Sequence, residues 1–127
     1  MQVQQFSFGK GNFLIEASFV KVGDDCVVAI GGGEKQHIGA VAVGVPRPSL
    51  KKDGTNSSSA SVICLTGHKE DMLARTAALE LSKALGHTVT VTVGIHIDNV
   101  APDAIGIVES HFRFLVEQII DWAAAKE

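Results

Sequence analysis

The sequence predicts an α+β protein: a two-layer sandwich in which one mostly antiparallel, mixed sheet of five to six strands carries two helices on one face. Alternating strand patterns fill the first half of the chain, and two helix-period patterns, separated by one strand pattern, fill the second. Strands joined by short turns pair antiparallel, whereas a helix between two strands indicates one parallel crossover. We expect residues 1–127 to form a single domain.

The chain begins with a predicted hairpin. Residues 6–8 and 13–22 alternate between apolar and polar side chains, which is typical of half-buried strands, and residues 9–12 between them have the composition of a turn. Residues 26–30 form a continuous apolar run, which predicts a more deeply buried strand that stops at Gly31.

Two further strands are predicted on either side of a long loop. Residues 37–45 read as a strand in which Gly39 and Gly44 mark a bulge or a close approach. Residues 46–59 are rich in Pro, Ser and Gly, so we expect a mobile loop that serves as a lid or a partner contact. Residues 60–65 return as a strand.

The helix-period patterns begin after this strand. A helix is predicted over residues 68–85, with Gly86 as its stop and an apolar stripe of Met72, Leu73, Ala77, Leu81 and Leu85. Residues 88–93 alternate cleanly as a strand. A second helix begins near Pro102, with a stripe of Ile105, Val108, Phe112, Leu115, Val116, Ile119 and Trp122.

Composition restricts the partners. The net charge of −3 and the pI near 5.9 argue against nucleic acid, since phosphate binding needs a basic excess. No apolar run of membrane-spanning length occurs and the N-terminus has no signal-peptide pattern, so we expect a cytoplasmic protein. Cys26 and Cys64 lie in apolar runs and are expected to be buried reduced thiols, with a metal ligand or a disulfide as the alternatives.

Three segments each end an apolar run in glycine and then present a histidine. They are Gly31-Gly32-Gly33 followed by His37, Gly67-His68-Lys69, and Gly94 followed by His96, Asp98 and Asn99. Because sheet proteins place their sites at strand ends, we expect one polar site to which several of these segments contribute.

Each segment also has a plainer interpretation. A helix start at Gly67-His68-Lys69 would offer N–H groups and a cation to an anion, but Thr66 could simply cap the helix. Glycines 31–33 could admit a ligand or could form an ordinary hairpin turn. Asp98 could orient His96, and with Asn99 it could cap the second helix. We read His87 as structural at a helix end and His111 as solvated.

One chemical alternative, a metal site, remains open at this point. His37, His68 and His96 could together bind a metal, since three imidazoles suit a zinc site with an open position, although their spacing matches no local metal motif. The sequence shows no obvious acid–base pair and no activated nucleophile, so no catalytic residue is assigned.

The motifs HIGAVAVG, TGHKEDMLAR and VTVGIHIDN, the last followed by AP and an acidic, apolar helix, together resemble the prenylated-flavin chaperone family. This is the small accessory-subunit type that accompanies gallate and related hydroxyarylic acid decarboxylases. The resemblance covers about residues 13 to 120.

The resemblance implies a non-catalytic carrier of prenylated FMN, or FMN, that helps to deliver or mature the cofactor for a prenylated-flavin-dependent decarboxylase. A flavin prenyltransferase is a further possible partner. Apart from the resemblance, we expect a homodimer formed through the sheet, because the two helices leave one sheet face uncovered and the early strands carry apolar residues on both sides. Carried over, the cofactor-binding residues would be Gly32, Gly33, His37, Gly67, His68, Lys69, His96, Asp98 and Asn99. The alternatives are a small metal-assisted lyase or hydrolase using His37, His68 and His96, and an interaction module that binds through residues 46–59.

Overall fold

The computed structural model describes residues 1–51, 53–65, 70–98 and 101–126. Six strands and two long helices follow one another in the order β1 (Val3–Phe8), β2 (Ile15–Val22), β3 (Asp25–Gly33), β4 (Lys35–Pro48), β5 (Asn56–Cys64), α1 (Asp71–Leu85), β6 (Val89–His96) and α2 (Pro102–Ala125), with a short 3₁₀ helix at Gly11–Phe13. The predicted α+β sandwich, with one mixed sheet and two helices, is confirmed.

The strands lie in the order β1-β2-β3-β6-β4-β5, and every pair is antiparallel except β3 with β6. The predicted crossover through α1 therefore exists, but β6 does not lie beside β5. It inserts between β3 and β4, pairing parallel with β3 and antiparallel with β4. The carboxyl ends of β3 and β6 consequently meet at the edge of the sheet where β4 begins.

Both helices cover the same face of the sheet, α1 over β4, β5 and β6 and α2 over β1 and β2. Core residues on each strand are the alternate ones, as in the row Phe19, Val28, Val91 and Ala42, all of them buried. The opposite face, here called the open face, is not covered by any of the described elements. Burial of every second strand residue beneath the helices therefore explains why apolar and polar residues alternate in the sequence.

The helices bury slightly different stripes from those predicted. α1 buries Leu81 and four small residues (Ala74, Ala77, Ala78 and Ser82), and its backbone approaches so closely that a Cβ at Gly44 of β4 would collide with the carbonyl oxygen of Ala78. Met72 and Ile105, predicted to be in the apolar stripes, are 63% and 58% exposed. Both lie in the first turn of their helix and point away from the sheet.

The predicted loop at residues 46–59 is too long. β4 continues to Pro48 and β5 begins at Asn56, so the connection is confined to residues 49–55. Pro46 and Pro48 are tolerated because β6 ends its pairing with β4 at Gly44, which leaves no ladder hydrogen bond for them to remove on that side. On the edge strand, the hydroxyl of Ser58 donates to the carbonyl oxygen of Leu79 at 2.7 Å, which ties the serine-rich segment to α1.

Three smaller expectations also change. β3 does not stop at Gly31 but continues through Gly33. His111 is not solvated: it is partly buried, and its Nδ1 lies 3.0 Å from the carbonyl oxygen of Phe13. The described part of α1 begins at Asp71 rather than at His68, and residues 66–69 lie outside the described residues.

Neither cysteine is part of a disulfide, but only one is buried as predicted. Cys26 lies in the core, where burial, and then the charge of Asp25, raises the pKa of its thiol to about 11. Cys64 is exposed, because the last residue of the edge strand extends past the cover of α1.

We therefore expect Ellman's reagent at pH 8 to label one thiol of the native protein quickly and the other at least about 100-fold more slowly, since only a thiolate reacts. Denaturation should release the second equivalent. Cys64→Ser should abolish the fast phase, whereas two equally fast thiols would contradict the burial of Cys26.

No helix in the described residues is both long enough and apolar enough to span a membrane.

Candidate functional site

A bulge in β4 builds the centre of the site. The ladder between β4 and β6 is interrupted between Gln36 and Ala40, so His37, Ile38 and Gly39 leave the regular pairing. Such irregularities redirect side chains and leave backbone groups unpaired, and they are frequent next to functional sites. The bulge turns His37 towards the start of α1.

The side chain of Glu70 fills the opening that the bulge creates. Its Oε1 lies 3.2 Å from Nε2 of His37 and accepts a hydrogen bond of 3.4 Å from the backbone N–H of Ile95 on β6. Glu70 is almost fully buried, and a Cβ at Gly39 would lie 2.5 Å from its Oε2. The glycine therefore makes room for a carboxyl group that joins β4, β6 and α1.

His37 and His96 come together although they are far apart in sequence. Their ring centroids are 6.3 Å apart in an edge-to-face arrangement. Each ring has a carboxylate partner, Glu70 for His37 and Asp98 for His96, with His96 Nε2 and Asp98 Oδ1 2.7 Å apart. A carboxylate on one ring nitrogen fixes the orientation of an imidazole, so both rings are held in place for recognition or for proton transfer.

The segment after β6 is held by Glu34 from the β3–β4 turn. The backbone N–H of Asp98 donates to Oε2 of Glu34 at 3.2 Å, and the side chain of Asn12 donates to its Oε1 at the same distance. The hydrogen bond from His96 is the main cause that holds the pKa of the Asp98 carboxyl below its usual value. That interaction stabilises the fold above the ordinary pKa of the carboxyl and is lost as the pH falls through the lowered one.

Glycines near the ends of β3 and β6 allow the segments that carry His37 and His96 to lie close together. A Cβ at Gly94 would collide with the carbonyl oxygen and carbon of His37, and a Cβ at Gly33, where φ is +75°, would collide with the carbonyl oxygen of His96. Only glycine permits backbones to approach so closely. Gly32 has a different place: it is buried against Leu14 and Ile15 of the neighbouring strand.

An open cavity of about 380 Å³ adjoins His37 on the open face. Its floor consists of small side chains on three strands, including Ser18, Ala29, Gly31 and Thr92, and its wall is the bulge segment Gln36, His37 and Ile38. The hydrogen bond from Gln36 Nε2 to Glu16 Oε1, 3.0 Å long, closes one side. The cavity has the size of a small-molecule site.

The structure thus brings together four of the predicted site residues, Gly33, His37, His96 and Asp98. Gly67, His68, Lys69 and Asn99 lie outside the described residues. The three-histidine metal site proposed from the sequence requires His68, so only two of its three members, His37 and His96, belong to the described residues. Within residues 1–51, 53–65, 70–98 and 101–126, no group of three His, Cys, Asp or Glu side chains is arranged to hold a metal ion.

Glu70 is the site residue that sequence reasoning missed. In the sequence, Glu70 lies at the start of the predicted helix, where an acid favours the positive end of the helix dipole. In the structure its side chain makes no cap hydrogen bond and turns towards β4 and β6 instead. A signal was present, because residue 70 precedes Ala74 by four positions and Ala77 by seven, which places it on the buried stripe of α1.

Comparison with solved structures supports the fold. A chain from the structure entitled "Crystal Structure of a Novel Chaperone Complex for Yeast 20S Proteasome Assembly" superposes with a TM-score of 0.57 at 12% sequence identity, covering 98% of each chain. At this identity the likeness concerns the fold alone. A search of curated proteins finds no match.

The sequence itself matches a family model over residues 9–124, nearly the whole chain. That model describes the prenylated flavin chaperone LpdD-like domain. The resemblance seen in the sequence motifs is confirmed by this match, and the match contains His37, His96 and their carboxylate partners. The chain belongs to the prenylated flavin chaperone LpdD-like family.

Proposed function

We propose that this protein binds prenylated FMN without transforming it, and passes the cofactor to a decarboxylase that depends on prenylated flavin. The observation that carries the proposal is the open-face cavity with His37 at its wall, in a member of a prenylated-flavin chaperone family. A carrier needs recognition groups around an accessible cavity, since it must both accept and release its ligand.

The shape of the cavity suits a flat ring system. Its floor residues, among them Ala29, Gly31 and Thr92, rise little above the sheet, so an isoalloxazine can lie against the strands. Ile38, which is 54% exposed, offers an apolar edge beside it. The ring would thus be bound largely by van der Waals contact and apolar burial, with His37 at one edge for orientation.

The charges of the described residues support one orientation of the cofactor in this proposal. Glu16, Glu34, Glu70 and Asp98 outnumber the imidazoles near the cavity, which disfavours a phosphate there. Carboxylate and imidazole groups suit the N–H and carbonyl edge of the flavin instead. We propose that the phosphate binds at Gly67-His68-Lys69, where the sequence has a cation shortly before α1, and that Asn99, next to Asp98 in sequence, contributes to the site.

One observation favours a second candidate function, a small enzyme. The two histidine–carboxylate pairs have the arrangement that general acid–base catalysis uses. The metal-assisted version of this alternative would require His68 to join His37 and His96 around an ion. Both versions predict that the substrate is changed on binding, whereas a carrier returns its ligand unaltered.

The floor of the cavity provides the test. Ala29→Phe places a ring where the flavin would lie and should weaken binding of prenylated FMN, measured by fluorescence titration, by at least about tenfold. Ala29→Ser is the matched control, since it keeps the small side chain and should bind within about twofold of the wild type. Equal affinity of the Phe variant, with its fold confirmed by circular dichroism, would place the flavin elsewhere and refute the proposed site.

A further inference from the structure

We infer that the edge of β1 is a docking site for an extended, uncharged segment of a partner protein, which adds to the sheet as a further strand. The docking site rests on the backbone of β1 and on the aromatic residues beside it. That the partner is the enzyme that receives the cofactor rests in addition on the proposed function.

The outer side of β1 presents backbone groups that no other described strand pairs with, since β1 is the last strand of the sheet and its neighbour is β2. The N–H of Lys21 donates to the carbonyl oxygen of Gln2 at 2.9 Å, which fixes the alternation of the antiparallel ladder. Every second residue therefore bonds to β2, and the others direct their N–H and C=O groups outward: Val3, Gln5 and Ser7. One of these outward carbonyls, that of Gln5, accepts a long hydrogen bond of 3.4 Å from the side chain of Gln4.

The sequence of β1 does not protect this edge. Natural sheets guard their edge strands with charged residues, proline or a bulge. Residues 2–9 contain neither a charged residue nor a proline, and β1 pairs with β2 in an uninterrupted register from Val3 to Phe8. An edge of this kind is suited to accept a strand from another chain, with main-chain hydrogen bonds as the source of affinity.

An exposed aromatic surface lies beside the same edge, on the side of the sheet that carries the helices. Phe114 of α2 is 50% exposed, and its ring stacks on that of Phe8 with the centroids 5.2 Å apart. It lies on the flank of α2 opposite to Phe112 and Val116, which line the cavity between the two helices. A strand added to β1 would place every second side chain beside these rings. The docking segment should therefore alternate, with apolar residues on the helical side.

The other edge strand, β5, is also uncharged but is the weaker candidate. α1 packs against β5, and the carbonyl oxygen of Leu79 accepts the hydroxyl of Ser58, so the helical side of that edge is already filled. The cofactor cavity is lined by Gln5 of β1, whereas none of the described residues of β5 borders it. A partner strand at β1 would thus lie next to the bound flavin, where a receiving enzyme has to be.

The test uses a synthetic peptide of about nine residues in which threonine alternates with leucine, added to the ¹⁵N-labelled full chain. We expect a Kd below about 1 mM and amide hydrogen exchange slowed at least about tenfold at Val3, Gln5 and Ser7. Exchange at Ala60 and Val62 should not change, because the same alternation directs their N–H groups outward from β5. A peptide of equal composition with its leucines in one block is the control and should not slow exchange.

Two substitutions remove the two features separately. Ser7→Pro removes one outward N–H at a position where an edge strand tolerates proline, and Phe114→Ala removes the exposed ring; each should weaken peptide binding at least about fivefold. Ala60→Pro, the same change at the edge of β5, and Ile105→Ala, in the first turn of α2, should leave binding within about twofold of the wild type. Val3→Lys, which adds a charge to the edge, serves if Ser7→Pro does not fold.

A flavin titration of the same samples separates this inference from the proposed function. Slowed exchange along β1 that is lost with Ser7→Pro and Phe114→Ala supports the docking site. Unchanged exchange at about 1 mM peptide, or slowed exchange along β5 instead, overturns it, and the function stands if prenylated FMN still binds. Exchange along β1 that slows with protein concentration alone would assign the edge to a second copy and overturn the partner strand. Peptide binding by a protein that binds no prenylated FMN would support the edge and overturn its link to a receiving enzyme.

Discussion

Replacing Gly94 by alanine should cost about 3 kcal/mol or more of unfolding free energy, an effect at the upper end for one methyl group. The added Cβ would collide with the carbonyl oxygen and carbon of His37 and lie 3.0 Å from the backbone nitrogen of Ile38. These are backbone atoms in the bulge of β4, which cannot rotate away as a side chain would. The bulge must therefore shift, and His37 with it.

Gly106→Ala is the matched control, because Gly106 lies in α2 and a Cβ there meets nothing within 4 Å. Alanine loses less backbone entropy than glycine and should stabilise the helix by about 0.5–1 kcal/mol. Urea unfolding followed by circular dichroism measures both variants. Equal stability of the Gly94 variant and the wild type would show that the backbones of β4 and β6 do not approach as described.

Removing the carboxyl group of Glu70 should have the second largest effect on the free energy of unfolding. Glu70→Ala leaves the N–H of Ile95 without its acceptor, removes the partner of His37 and opens a space beside Gly39. Loss of a buried hydrogen-bond acceptor and of packed atoms should together cost about 2–4 kcal/mol. Because the Glu70 side chain makes no cap hydrogen bond, this loss does not come from the helix end.

Glu70→Gln removes the charge of the side chain but keeps its shape, so it separates the effects of the two on stability. The amide keeps the size of the side chain and one carbonyl acceptor, so it should cost only about 1 kcal/mol. The NMR signal of the His37 ring should broaden or move in the Ala variant, since the ring loses its fixed orientation, and remain sharp in the Gln variant. An Ala variant as stable as the wild type would mean that Glu70 does not join β4, β6 and α1.

Much of the fold was predictable because each part of it leaves a local pattern. Clean alternation at residues 88–93 predicts β6, and the helix-period stripe after Pro102 predicts α2. The insertion of β6 between β3 and β4 has no local signature, since it depends on which strands are spread apart in space. The strand at residues 56–59 was missed because serine has little strand propensity, and its pairing with β4 is a tertiary effect.

Less of the candidate site than of the fold was predictable from the sequence. Glycine followed by histidine at strand ends predicts that His37 and His96 come close together, because a close approach of backbones demands glycine and strand ends gather at one edge, and their rings do lie 6.3 Å apart. Glu70 was missed because an acid at a helix start has a sufficient local explanation. Only the buried stripe of α1, followed back to residue 70, distinguishes an acid that enters the sheet from one in solvent.

Co-expression with a flavin prenyltransferase tests the central claim most directly. The account predicts that the purified protein carries about one prenylated flavin per chain, visible by its absorbance, released unaltered on denaturation and identified by mass spectrometry. Metal analysis of the same sample distinguishes the alternative. Protein that holds no flavin but binds zinc stoichiometrically would contradict the carrier function and favour a metal-assisted enzyme.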